Sequence, residues 1–217
     1  MKNYDVILFD LDGTLTDSSP GIKNSIIYAL KKYNIEVDDT SELDKFLGPP
    51  LHESFKEFYG FDVEKAMEAT LSYREYFSTK GIFENKVYNG ITELLKKLSD
   101  NGKRLVVATS KPQVFTDRIM EHFELSKYFE FIAGSNMDGT RSKKADVIEF
   151  ALNECRISDR SSVVMVGDRR QDVIGAKTVG IDSIGVEYGY GSYDELNDAG
   201  ADYIVKTVSE LQSLLCG

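Results

Sequence analysis

At 217 residues the chain is long enough for one large domain or for a core domain with a smaller insert, and its 41% hydrophobic and 29% charged residues are ordinary for a globular protein. A formal charge of −10 argues against a nucleic-acid polymer as partner, because phosphate backbones need a basic face. No apolar run approaches the roughly 20 residues that span a bilayer, no signal-peptide layout opens the chain, and the two cysteines have neither disulfide nor metal spacing, so no membrane partner and a cytoplasmic location are expected.

The run Tyr4-Asp5-Val6-Ile7-Leu8-Phe9 predicts a buried strand. It delivers Asp10-Leu11-Asp12-Gly13-Thr14 to its carboxyl end, where open α/β sheets place their chemistry. Thr16 to Pro20 reads as a polar turn into a helix, which Ile22, Ile26, Leu30 and Tyr33 continue. Residues 41–47 and 51–59 read as two more helices on either side of Gly48-Pro49-Pro50. Asp62 caps a long one whose apolar side would carry Val63, Ala66, Met67, Thr70, Leu71 and Phe77. From about residue 17 to 86 the pattern is all helical; beyond it, strand and helix alternate, and that change marks a boundary. The expected organisation is a core of residues 1–16 and 87–217 interrupted by a small all-helical domain at 17–86.

The core resumes with a helix over Ile91–Leu98, a strand over Lys103–Ala108, a helix from Pro112 to Phe123 and a strand over Phe129–Ala133. A helix from Lys144 to Cys155 precedes Ser162-Val163-Val164-Met165-Val166, a continuous apolar run suited to a strand covered on both faces. A helix over Gln171–Val179, short strands at Ser183–Val186 and Tyr203–Val205, and a helix from Val208 to Leu215 close the chain. Six strands separated by helices imply an α/β fold with a doubly wound, mainly parallel sheet.

Three further segments carry chemistry at strand ends or helix starts. Ala108-Thr109-Ser110-Lys111-Pro112 offers a hydroxyl and backbone N–H groups for phosphate oxygens, although Ser and Thr also cap helices routinely. Ser142-Lys143-Lys144 offers a cation, and the spacing to Val147-Ile148 favours Lys144 over Lys143. Gly167-Asp168-Arg169-Arg170-Gln171-Asp172 places two carboxylates four residues apart on a turn entering a helix. Arg141-Lys143-Lys144 and Arg169-Arg170 are the local basic clusters that an anionic substrate would need in so acidic a chain.

Taken in order, these segments resemble the four motifs of the haloacid dehalogenase superfamily, with its Rossmann-like core. Along its whole length the chain resembles the phosphoglycolate phosphatase-like branch, which carries a helical cap after the first motif. The resemblance implies a phosphatase acting on a small phosphorylated metabolite, with relatives described as 5′-nucleotidases, pyrophosphatases or sugar-phosphate mutases. It assigns Thr109 to phosphate binding, with the Ser110 amide and Lys144 completing that site. Asp10, Asp12, Asp168 and Asp172 would crowd four carboxylates together, which demands a cation; hard oxygen ligands select Mg2+. His52 and His122 lie away from every motif, against histidine-ligated zinc. Asp10 is the expected nucleophile and Asp12 the expected general acid and base. Mg2+ would sit on Asp10, the Asp12 backbone carbonyl and Asp168, with Asp172 ordering the shell. A non-catalytic phospholigand-binding protein is disfavoured because every acidic motif position is intact. Specificity is expected from the cap, with Phe46–Leu51 the first loop to examine and Lys45 or His52 as polar contacts. Glu187–Gly191 is read chiefly as turn and packing.

Overall fold

Val6 to Phe9 are four apolar residues that form strand β1 (Val6–Phe9), buried along its whole length at the centre of a six-stranded parallel sheet. The computed structural model describes residues 2–217. After β1 come β2 (Thr16–Asp17), α1 (Ser19–Lys31), α2 (Leu51–Tyr59), α3 (Val63–Phe77), β3 (Lys86–Val87), α4 (Ile91–Asp100), β4 (Arg104–Pro112) and α5 (Gln113–His122). They are followed by β5 (Phe131–Ser135), α6 (Lys144–Glu154), β6 (Val163–Gly167), α7 (Arg170–Val179), β7 (Asp182–Val186), α8 (Tyr193–Ala199), β8 (Tyr203–Val205) and α9 (Val208–Cys216). The large sheet runs β5-β4-β1-β6-β7-β8, while β2 and β3 pair separately.

Leu8 stands opposite Val106 of β4 and Met165 of β6, so the period-2 alternation stacks one apolar face across three strands. Onto that face pack Val147, Ile148, Ala151 and Leu152 of α6 with Ala176 and Val179 of α7. Phe9 points the other way and meets Phe129 edge to face at 6.1 Å. Cover on both faces is why β6 reads as an unbroken apolar run. From β1 the chain proceeds outward to β4 and β5, then returns to lay β6 on the opposite side of β1. That reversal opens a crevice at the carboxyl ends of β1, β4 and β6, and every chemistry-bearing segment of the core ends there.

The chain divides into two compact units, Met1–Thr16 with Val87–Gly217, and Asp17–Lys86. In the second, Phe46 lies 5.3 Å from both Phe55 and Phe58, and Phe61 stacks on Phe55 at 6.0 Å. Helix α3 buries part of its expected apolar side and exposes the rest. Val63, Met67 and Leu71 are 67%, 52% and 59% exposed, whereas Ala66, Ala69, Thr70, Tyr73 and Phe77 are buried, and α3 packs on α1. Small side chains at 66 and 69 suit a close helix approach, a preference that hydrophobic spacing alone does not register.

Other differences are local. Thr40–Phe46 is a 3-10 helix, β4 runs on to Pro112, and α8 lies between β7 and β8 where no helix was expected. None of the helices described is long and apolar enough to cross a membrane.

Candidate active site

Asp10 is the first residue past β1. Its amide donates to Val166 O at 2.9 Å, extending the pairing with β6 by one residue and fixing the backbone from which the carboxylate projects. Lys144, the first residue of α6, is buried and brings Nζ to 2.8 Å from Asp10 Oδ1 and 2.8 Å from Asp172 Oδ1 while donating to Ala108 O at 3.0 Å. Its stem lies against α7 at Gly175, where a Cβ would come within 2.8 Å of Lys144 Cγ. Burial alone would depress this ammonium, but the charges of Asp10 and Asp172 outweigh it and hold the pKa above the usual lysine value. Lys143 is exposed.

Asp168 follows β6 and is fully buried, its Oδ2 accepting from the Tyr190 amide at 2.7 Å. Burial pushes its carboxyl well above the usual carboxylate range, and the charges of Asp172 and Asp10 push the same way. Asp172 caps the start of α7 by accepting from the Arg169 amide at 3.1 Å. Burial raises it to about 6 against the opposing charge of Lys144. Oxygens of Asp10, Asp168 and Asp172 lie within 4.8 Å of one another.

Three buried carboxylates face one ammonium, an imbalance that neutral pH cannot sustain without protonation or a further cation. Asp10 Oδ1 and Asp172 Oδ1 form ion pairs with Lys144 but have no aligned hydrogen-bond donor. An all-oxygen, excess-negative cluster with underused lone pairs fits a hard divalent cation such as Mg2+.

A carboxyl that binds its proton more tightly when folded contributes stability below its unfolded pKa and loses that contribution as pH rises through the folded one. Metal-stripped protein is therefore expected to melt a few degrees higher at about pH 5 than at about pH 7.5, since Asp172 and Asp168 both titrate upward of their unfolded values. Thermal unfolding in chelator checks this, and Asp172→Asn should flatten the response.

Glycines give these carboxylates their room. Gly13 has φ +81°, and a Cβ there would fall 2.1 Å from Asp168 Oδ2. A Cβ on Gly167 would sit 2.2 Å from Asp172 Cγ. Gly13→Ala is expected to cost about 1–3 kcal/mol from overpacking, with the left-handed backbone adding to it. Thermal melts with and without Mg2+ should show both the loss and a weakened response to the ion.

The Asp12 carboxylate stands apart from the acidic cluster. Its Oδ2 is 2.5 Å from Lys111 Nζ, and its Oδ1 is buried with no hydrogen-bond partner. Thr109 is buried within β4, three residues before its end, and its hydroxyl accepts from the Lys111 amide at 3.2 Å. Ser110 is exposed, its carbonyl accepting from Ser135 Oγ at 2.8 Å. Lys111 is the site residue that sequence reasoning passed over: it stood inside Thr109-Ser110-Lys111, but nothing in the spacing linked it to a carboxylate 99 positions away.

The other basic residues serve elsewhere. Arg169 pairs with Glu195 at 2.8 Å, and the Arg141 guanidinium lies over Phe150, 3.8 Å from the ring centre. The loop after β7 does more than turn the chain. Tyr188 OH donates to Thr14 O at 3.1 Å, and Cβ atoms on Gly189 and Gly191 would lie 2.3 Å from Gly13 O and 1.9 Å from Asp168 O.

The profile of a family described as haloacid dehalogenase-like hydrolase matches residues 7–186. Over 193 residues the chain is 46% identical to a 5′-nucleotidase of Pseudomonas aeruginosa, covering 89% of this chain and 87% of that one. It is 40% identical over 213 residues to the tyrosine-protein kinase PtkA of Mycobacterium tuberculosis, covering 97% of this chain and 72% of that one. The crystal structure of a "predicted phosphatase" from Clostridium acetobutylicum superposes with a TM-score of 0.94 at 53% identity, covering 99% of each chain. With the profile spanning most of the sequence and the acidic cluster at the carboxyl ends of β1 and β6, the chain belongs to the haloacid dehalogenase-like hydrolase family.

Proposed function

We propose that the protein is a Mg2+-dependent phosphatase that hydrolyses small phosphate monoesters through an aspartyl-phosphate on Asp10. The observation that carries this reading is the buried set Asp10, Lys144, Asp168 and Asp172, a nucleophilic carboxylate held between an ammonium and two further carboxylates at the sheet's crevice.

An Asp10 carboxylate oxygen attacks phosphorus, and the ester bond to the leaving oxygen breaks as Asp12 gives that oxygen its proton. Water then attacks the phosphorus of the acyl phosphate with Asp12 taking its proton, which releases inorganic phosphate, frees the Asp10 carboxylate and restores the Asp12 acid. Lys144 offsets the repulsion between Asp10 and the dianion, and Thr109 with the Ser110 amide bind the phosphoryl oxygens. Asp10 and Asp168 would hold the Mg2+, with the Asp12 carbonyl as a third ligand and Asp172 orienting the set. Bound there, the ion supplies positive charge that lessens repulsion between carboxylate and phosphate.

Nucleoside 5′-monophosphates are the first substrate class on this reading, supported by the 46% identity to the Pseudomonas 5′-nucleotidase. Residues 17–86 would read the leaving group, because the core's groups address only the phosphate. The test is phosphate release from a panel of nucleoside monophosphates, 2-phosphoglycolate, pyrophosphate and sugar phosphates, with and without Mg2+. Mg2+-dependent turnover that collapses in Asp12→Ala supports the mechanism. An isomerised sugar phosphate in place of free phosphate points to a mutase, and silence across the whole panel removes the enzymatic reading.

A further inference from the structure

Lys111, in β4, and Asp12, in the turn past β1, come together from segments 99 residues apart in the chain because β1 and β4 are neighbours in the sheet. Their 2.5 Å contact is largely withdrawn from water, with side chains 7% and 23% exposed. An ion pair at the surface is worth little, and a long lysine side chain seldom gives up its rotamer freedom for one. Here the surrounding backbone is built to hold it. The register between β4 and β5 shifts between Ala108 and Pro112, an irregularity of the kind that re-aims a side chain at a strand end. Within that shift the Lys111 amide donates to Thr109 Oγ1 and its carbonyl accepts from Thr116 Oγ1 at 3.3 Å. Gly134 of β5 admits the same carbonyl, since a Cβ there would lie 2.8 Å from it.

The pair also divides the two oxygens of Asp12. Lys111 takes Oδ2, while Oδ1 is buried and without a hydrogen-bond partner. A buried carboxylate oxygen left unpaired is costly, and such atoms are found where a ligand completes them.

We propose that Lys111 is a positioning residue: it fixes the Asp12 carboxylate through Oδ2 so that Oδ1 is the atom that exchanges a proton with the leaving-group oxygen. This rests on the phosphatase reading above. Lys111 acts through Asp12, so its loss should cost most where the leaving group needs a proton and least where it does not.

The experiment uses the intact protein with Mg2+ and a series of aryl phosphates of graded leaving-group acidity, from phenyl to p-nitrophenyl phosphate, compared in wild type, Lys111→Met and Lys111→Arg. The parameter is kcat/KM, which covers events up to formation of the covalent intermediate. Lys111→Met should lose about 100-fold on phenyl phosphate, in the range of a lost general acid, but under about fivefold on p-nitrophenyl phosphate. Arginine should restore most of the loss. Retained p-nitrophenyl phosphate turnover also establishes that the variant is folded; should methionine fail to fold, Lys111→Gln is read by the same ratio. Equal losses along the series, no loss, or an effect confined to KM overturns the proposal while leaving the phosphatase reading standing. A wild type inert toward every member removes that reading instead.

Discussion

Asp10→Asn is expected to abolish turnover, by about 10^4-fold or more, while leaving the metal-free protein at least as stable as wild type. The first half follows from chemistry, because an amide oxygen neither carries the charge nor forms the acyl phosphate, and loss of a covalent nucleophile removes most of an enzyme's rate advantage. The second half follows from the charge balance. The Lys144 ammonium pairs with Asp10 and Asp172 while Asp168 adds a third carboxylate beside them, so replacing one carboxylate by an isosteric amide relieves repulsion in a buried cluster. Most substitutions of buried polar groups destabilise, so this combination of outcomes is distinctive. Phosphate release and thermal melts in chelator measure the two halves. A variant that keeps more than about 1% of the wild-type rate would mean the covalent step runs elsewhere, since nucleophile losses are far larger. A variant that is inactive but clearly less stable would mean the cluster is balanced by charge not yet accounted for.

The parts of this site that were legible in the sequence are those where one local pattern carries both fold and chemistry. Val6 to Phe9 and Val163 to Val166 are apolar without interruption because helices cover both faces of the sheet, and the residues that end each run, Asp10 and Asp168, are polar because the strand has reached the crevice. The glycines of the same segments were visible too, and the geometry supplies their reason. Gly13 and Gly167 leave the space that Asp168 and Asp172 fill.

What sequence spacing could not convey is pairing across the sheet. Lys111 and Asp12 meet only because β1 and β4 are neighbours with Phe9 opposite Val107, a register that no local window contains. Helix α3 shows the converse. Spacing put Val63, Met67 and Leu71 on one apolar side with Ala66, Thr70 and Phe77, yet tertiary packing buried the latter three, together with Ala69 and Tyr73, and left the first three exposed. Helix α8 had a local signal that went unused: Ser192 accepts from the amide of Glu195, three residues on, as an N-cap. At seven residues the helix is too short for its apolar spacing to stand out.

Lys144→Met should be the most damaging single change to stability and also remove activity. Methionine matches the stem's volume, so little cavity forms, but the charge that pairs with both Asp10 and Asp172 disappears from a buried site. Removing one partner of a buried pair costs about 3–5 kcal/mol, which in a chain of this size lowers the melting point by roughly 2–4 °C per kcal/mol. Part of that cost is avoidable if the carboxylates take up protons, but a protonated Asp10 is a poor nucleophile, so the escape itself sacrifices turnover. A loss of about 10^3-fold or more is expected, comparable to removing a charge that stabilises a phosphoryl transition state. Two further measurements separate the electrostatic cause from damaged packing. Mg2+ should stabilise the variant more than wild type, because the ion now meets an uncompensated negative cluster. Adding Asp172→Asn to Lys144→Met should recover much of the lost stability without recovering activity, a coupling that a double-mutant cycle reads directly. If the second substitution only adds its own cost, Lys144 holds α6 against Gly175 of α7 by packing, and its charge is incidental to the fold.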